Sequence, residues 1–232
     1  MSTDHPHMTI PERLSCVIFD IDGTLTSTNA LIFATFNYVA EKHLGRAFTP
    51  AEIIGLFGPP EEGAVEKVFG PAMVPQVMDE MCAFYRANHG AMANLHEGMG
   101  EALRLLKERG IRLAVFTGKG RRTAGITLEV LGLTQYFEMI VTGNDVANFK
   151  PDGEGIRRIL DGLHVPASET VMVGDSMADV HASRDAGVVM AAVVWDAYDR
   201  ERVLAAGTDL VFADGTAFVS WCRSHSGPAG CA

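Results

Sequence analysis

From residue 98 onward, short apolar runs alternate with segments of helical spacing, and most runs end on a small or acidic residue. IRLAVFTG (111–118), MIVTG (139–143), TVMVGDS (170–176) and VVMAAVVW (188–195) read as strands. EALRLLKERG, RRTAGITLEVLG, GEGIRRILDGL and MADVHASRDAG between them read as helices, and DLVFAD with TAFVSWC closes the series as strand and helix. Apolar runs too continuous for one wet face belong to strands buried on both sides, and the alternation requires a mostly parallel sheet with helices on both faces. The expected class is therefore α/β and Rossmann-like.

One further strand stands apart. CVIF (16–19) runs straight into Asp20-Ile21-Asp22-Gly23-Thr24, and the chain beyond reads as helical up to about residue 93. In NALIFATFNYVAEKHLG, Leu31, Phe33, Ala34, Phe36 and Val39 cluster on one face, while Thr49, Pro50 and Glu52 carry the signature of a helix start. The expectation is a catalytic core of residues 1–28 and 94–232, with an inserted all-helical cap over 29–93. SHSGPAGCA (224–232) reads as a loose tail.

Composition excludes more than it selects. The formal net charge of −10 disfavours nucleic acid and anionic membrane as partners, and the apolar run 187–195 is far too short to span a bilayer. Residues 1–15 hold no signal-peptide core, and Cys16, Cys82, Cys222 and Cys231 form no CxxC pair, so a reducing, cytoplasmic setting is expected.

Ligands of such sheets bind beyond the carboxyl ends of the strands. The polar residues there are Asp20 and Asp22, Thr117 and Gly118, Thr142 to Asp145, and Asp175 with Ser176. Asp20 and Asp22, two apart in an extended segment, share a face. With Asp175 they crowd three carboxylates into one crevice, a charge density that a cation relieves, and oxygen-only ligation suits Mg²⁺. Asp179, one helical turn on from Asp175, is placed to anchor metal-bound water. Thr117 and the backbone N–H of Gly118 can hold a phosphoryl oxygen, and Lys150 offsets the surplus negative charge. The glycines of FTGKGRRTAG fit neither a dinucleotide fingerprint nor a GxxxxGK[ST] phosphate loop, and no GxSxG elbow or zinc-ligand spacing occurs.

Four separated motifs in order carry a family resemblance: Asp20-Ile21-Asp22-Gly23-Thr24, Thr117, Lys150, and Gly174-Asp175-Ser176 with Asp179. The chain resembles the haloacid-dehalogenase-like hydrolases, specifically phosphatases with a helical cap after the first strand. The resemblance implies a Mg²⁺-dependent phosphatase acting on a small phosphorylated metabolite. Asp20 is then the nucleophile that becomes an aspartyl-phosphate, and Asp22 the general acid and base. Asp20, the backbone carbonyl of Asp22, and Asp175 bind the metal; Thr117 and Lys150 hold the phosphoryl group; Ser176 and Asp179 support. GLFGPPEEGAVEKVFG (55–70) is similar to phosphoglycolate phosphatases and related pyrophosphatases. Pyrophosphate hydrolysis, a sugar phosphomutase reaction and a non-hydrolytic phospho-accepting module remain alternatives. Arg46, Lys67 and Arg86 are the cap cations considered as readers of an anionic leaving group, and Met73, Val77, Met78 and Met81 line either the cap core or an interface in a monomer or homodimer. Gly118-Lys119-Gly120 departs from the family after Thr117, a difference expected to alter only the rim.

Overall fold

The computed structural model describes residues 8–225. Its strands are β1 (Cys16–Phe19), β2 (Thr26–Ser27), β3 (Asn94–Leu95), β4 (Arg112–Phe116), β5 (Met139–Val141), β6 (Thr170–Gly174), β7 (Val189–Val193) and β8 (Leu210–Phe212). Its α-helices are α1 (Asn29–Leu44), α2 (Pro50–Ile54), α3 (Glu61–Phe69), α4 (Val74–Met92), α5 (Met99–Glu108), α6 (Arg121–Val130), α7 (Glu154–Leu163), α8 (Met177–Ala186), α9 (Arg200–Ala205) and α10 (Gly215–Ser224). Six strands form one parallel sheet in the order β5-β4-β1-β6-β7-β8. Of the expected tail, Ser224 ends α10 and residues 226–232 lie outside the described range, as does Cys231.

Alternation along the strands divides the core in two. Val17, Phe19, Val115 and Val173 face α5, α6 and α10, and Cys16, Ile18, Phe116 and Met172 face α7 and α8. Burial on both faces is why these strands carry no polar alternation.

From β1 the chain steps one way to β4 and β5, then returns to the other side of β1 for β6, β7 and β8. The reversal opens a crevice at the carboxyl ends of β1, β4 and β6, the place where a sheet of this kind binds ligands.

Four helices, α1 to α4, are inserted between β2 and β3. Their own core holds Leu31, Phe36, Val39, Ile53, Val65 and Tyr85, with Val77, Met78 and Met81 buried and Met73 packed against them. The methionine-rich face of α4 therefore lines this core. Thr49 caps α2 in a complete capping box with Glu52, with Pro50 at the first helical position, as expected. The sequence pattern shows no strand between β1 and residue 98. β2 and β3 nevertheless pair antiparallel, Thr26 with Leu95 and Ser27 with Asn94, where the insertion leaves and rejoins the core. Two-residue strands are too short to show a period.

Ile126 of α6 belongs to the helical core, and the Tyr85 hydroxyl meets the Thr127 hydroxyl at 2.9 Å. The insertion is thus anchored to α6.

Candidate active site

Each strand next to the crevice delivers its last polar residue in register. Phe19 pairs with Val115 and Val173, so Asp20 and Asp175 each stand just beyond the end of neighbouring strands. The Asp20 N–H donates to the Val173 carbonyl at 2.9 Å, and the Thr117 N–H to that of Val141 at 3.0 Å.

Asp20, Asp175 and Asp179 bring carboxylate oxygens within 4.8 Å of one another. Lys150, delivered by the segment between β5 and α7, reaches Asp20 Oδ2 at 3.3 Å and Asp179 Oδ1 at 2.6 Å. It is buried, not the solvated charge that an isolated lysine suggests. Asp20 Oδ1 accepts from the Ile21 N–H at 2.7 Å, and Asp175 Oδ1 from the Thr24 hydroxyl at 2.9 Å.

Two glycines permit this crowding. A Cβ on Gly23, whose φ is +77°, would lie 2.4 Å from Asp175 Oδ2, and one on Gly174 would lie 2.4 Å from Asp179 Cγ. Ser176 and Asp179 form a capping box at the start of α8, so Asp179 Oδ2 holds the helix start while Oδ1 holds Lys150. Asp179 is fully buried.

Burial pushes the Asp20 carboxyl up to about 6, against the pull of Lys150 and with the push of Asp179 and Asp22. Burial, then Asp179 and Asp20, raise Asp175 well above the usual carboxylate range. For Lys150, burial alone would lower the ammonium, but Asp179 and Asp20 hold it above its ordinary value. Such crowding of buried carboxylates is the electrostatic setting a hard cation relieves, and an all-oxygen donor set fits Mg²⁺.

Asp22 lines the same crevice as Asp20 and Asp175, but not on the same side. Its carboxylate is not in the three-carboxylate cluster, where Asp179 stands instead. The strand ends at Phe19, and the chain turns at once, with Leu25 N–H bonding back to the Ile21 carbonyl at 2.9 Å. The same-face rule for residues two apart needs extended backbone, so it lapses here. Asp22 Oδ1 accepts instead from the Thr28 hydroxyl at 2.5 Å, and Lys119 Nζ reaches its two oxygens at 3.3 and 3.2 Å.

Lys119 is the residue that sequence reasoning misjudges. It is not on the rim. Its side chain is 2% exposed, 3.8 Å from Glu61 Oε1, and its Nζ lies 4.7 Å from the Tyr85 ring centroid. Burial works against the ammonium, but Asp22, Tyr85 and Glu61 raise it above the usual lysine range. A lysine between two glycines, three residues beyond an apolar strand, was the available signal.

These groups open into a cavity of about 260 Å³, large enough for a small molecule. Thr117, Gly118 and Ser176 line it beside the charged residues. Its far wall comes from the insertion and is largely apolar, with Ile32, Phe36, Leu56, Phe57 and Ala64 beside the polar Asn29 and Glu61. Arg46 and Arg86 point elsewhere, paired with Glu52 and Glu129 on the surface, and Lys67 is exposed. The three are absent from the lining.

Carboxylates and lysine gathered at the switch point of a parallel sheet, under a helical insertion, define the class as a phosphohydrolase. The model of the haloacid dehalogenase-like hydrolase family matches residues 17–193, and the chain belongs to that family. It is 34% identical over 185 residues to the pyrophosphatase PpaX of Halalkalibacterium halodurans, covering 78% of this chain and 84% of the relative. The structure of CbbY from Rhodobacter sphaeroides in complex with phosphate superposes with a TM-score of 0.75 at 22% identity, over 87% of this chain and 95% of that one. That of a predicted phosphoglycolate phosphatase from Haemophilus somnus gives 0.75 at 20%, over 90% and 97%. These two likenesses are of fold.

Proposed function

We propose that the chain is a Mg²⁺-dependent phosphatase that hydrolyses a small phosphate monoester in two steps. The observation that carries this is Asp20, held at the sheet edge between Lys150 and the Asp175–Asp179 pair. Asp20 attacks phosphorus and the bond to the leaving oxygen breaks, giving an aspartyl-phosphate. Asp22, on the cavity side, delivers a proton to the leaving oxygen and then takes one from the attacking water. That water displaces Asp20 from phosphorus and phosphate departs. Thr117, the Gly118 N–H and Lys150 hold the phosphoryl oxygens.

Asp20, Asp175 and the backbone carbonyl of Asp22 would hold Mg²⁺, with Ser176 and Asp179 behind them. The ion would supply positive charge against the nucleophile and the phosphoryl oxygens. Splitting ester hydrolysis this way requires Asp20 ionised, which Lys150 favours.

Pyrophosphate is a second reading, favoured by the 34% identity to a pyrophosphatase. Our reading also puts the chain in the cytoplasm, as monomer or homodimer without nucleic-acid partners: Cys16, Cys82 and Cys222 are buried free thiols, and no helix among the described residues is long and apolar enough to cross a membrane.

Asp20→Asn tests the assignment. Turnover of every phosphate ester should fall by about 10⁴-fold or more, and mass spectrometry should find the phosphoryl group on Asp20 of the parent and nowhere on the variant. Phosphoryl label on another residue, or undiminished turnover, rejects it.

A further inference from the structure

The monoester-hydrolase reading leaves open what the leaving group is, and the cavity speaks to that. Beyond the charged edge, its wall is mostly Ile32, Phe36, Leu56, Phe57 and Ala64, with Tyr198 from the segment after β7; Asn29 is the one uncharged polar side chain the insertion adds among the described residues. Phe33, Phe57 and Tyr198 form an aromatic group, with centroids 6.5 Å apart for Phe33–Phe57, 6.1 Å for Phe33–Tyr198 and 6.3 Å for Phe57–Tyr198. Phe57 is 41% exposed and Tyr198 51% exposed, so aromatic surface stands open at the cavity. Water held against such a wall is displaced at a gain by an apolar group.

The charges point the same way. Four carboxylates line the cavity, Asp20, Asp22, Glu61 and Asp175, against two ammonium groups, Lys119 and Lys150. Both lysines are engaged. Lys150 holds Asp20 and Asp179, and Lys119 holds both oxygens of Asp22 with Glu61 beside it. Glu61 is fixed in turn by the Thr123 hydroxyl and the Gly120 N–H, each at 2.5 Å. A phosphoryl dianion and a divalent cation would cancel one another. No cation from the insertion then faces a second anionic group, among the described residues. Placing a carboxylate or a second phosphate there sets it against Asp22 and Glu61 at the cost of its hydration.

We propose that the substrate's leaving group is an alcohol or phenol with an uncharged, apolar body, seated against Ile32, Phe57 and Tyr198. This rests on the monoester-hydrolase reading above and narrows its substrate class.

The test uses the full chain with Mg²⁺ and four probes: ethyl phosphate, benzyl phosphate, phosphoglycolate and pyrophosphate. The three esters share a primary alkoxide leaving oxygen, so the comparison isolates the body attached to it. Benzyl phosphate should exceed ethyl phosphate in kcat/KM by about tenfold or more, and should exceed phosphoglycolate and pyrophosphate. In the double variant Phe57→Ala, Tyr198→Ala the benzyl-to-ethyl ratio should fall several-fold toward one. A ratio near one in the parent protein, or phosphoglycolate or pyrophosphate as the best substrate, overturns the proposal. Acetyl phosphate separates the two levels. If it phosphorylates Asp20 while benzyl phosphate shows no advantage, only the leaving-group proposal falls. If it leaves Asp20 unmodified and no probe is hydrolysed, the hydrolase reading falls and takes this one with it.

Discussion

The two walls of the cavity are built on opposite principles. The sheet edge is polar and over-determined: Asp20, Asp175, Asp179 and Lys150 are held by strand register, a capping box and two glycines that no other residue could replace without collision. The facing wall is largely apolar, from α1, the segment joining α2 to α3, the start of α3, and Tyr198, with Phe36 and Ala64 part of the helical core. Charge preorganised at a reacting centre needs rigid support, because an error of an ångström costs orders of magnitude in rate. Apolar contact with a leaving group is non-directional and needs no such exact placement. On the reading proposed above, chemistry belongs to the sheet edge and selection to the facing wall, Tyr198 included.

The largest effect should come from breaking the rigid side. Lys150→Ala leaves Asp20 and the fully buried Asp179 without their cation. It should destabilise the protein by about 3–5 kcal/mol in urea titrations with chelator present. A loss below about 1 kcal/mol would mean that the cluster protonates and relaxes, so that the edge is not rigid.

Lys119→Met examines the seam between the walls. It removes the partner of Asp22 but keeps an apolar stem against Tyr85. We expect kcat/KM to drop by about 10²–10³ with the Asp20 phosphoenzyme still detectable from acetyl phosphate. Full activity would return Lys119 to the scaffold.

A smaller effect lies in pH. The folded Asp20 carboxyl is raised from 3.8 to about 6. Its contribution to the metal-free fold is therefore fully present below 3.8 and is lost as pH rises through 6. Cation binding needs the ionised form, so affinity for Mg²⁺ in titration calorimetry should weaken by about tenfold between pH 7 and pH 5. An affinity flat over that interval would show that Asp20 sits in a wetter site than its burial implies.

Much of this is legible in the sequence. Strand ends at Asp20, Thr117 and Asp175 arise from apolar runs broken by polar residues, and parallel pairing from the alternation with helices. Motif order brings in Lys150, which periodicity alone would leave on the surface. Asp22 and Lys119 are harder. The first takes its expected face from an extended geometry that ends at Phe19, and the second stands out only as a departure from a motif. Neither β2 nor β3 can be seen, because a two-residue strand is defined by its partner.

What the sequence determined by itself is the topology and the placing of acidic and hydroxyl residues beyond strand ends, since both arise from local pattern and chain connectivity. Only the tertiary structure decided that Asp179 joins the closest oxygens of Asp20 and Asp175 while Asp22 pairs with Lys119, and that a largely apolar wall faces them. Electrostatic partnership depends on distances of a few ångströms between residues about 30 to 155 positions apart, as in Lys150 with Asp179 and Asp20 with Asp175. Local periodicity carries no information about such distances; they are set when helices pack on the sheet and the insertion closes against α6.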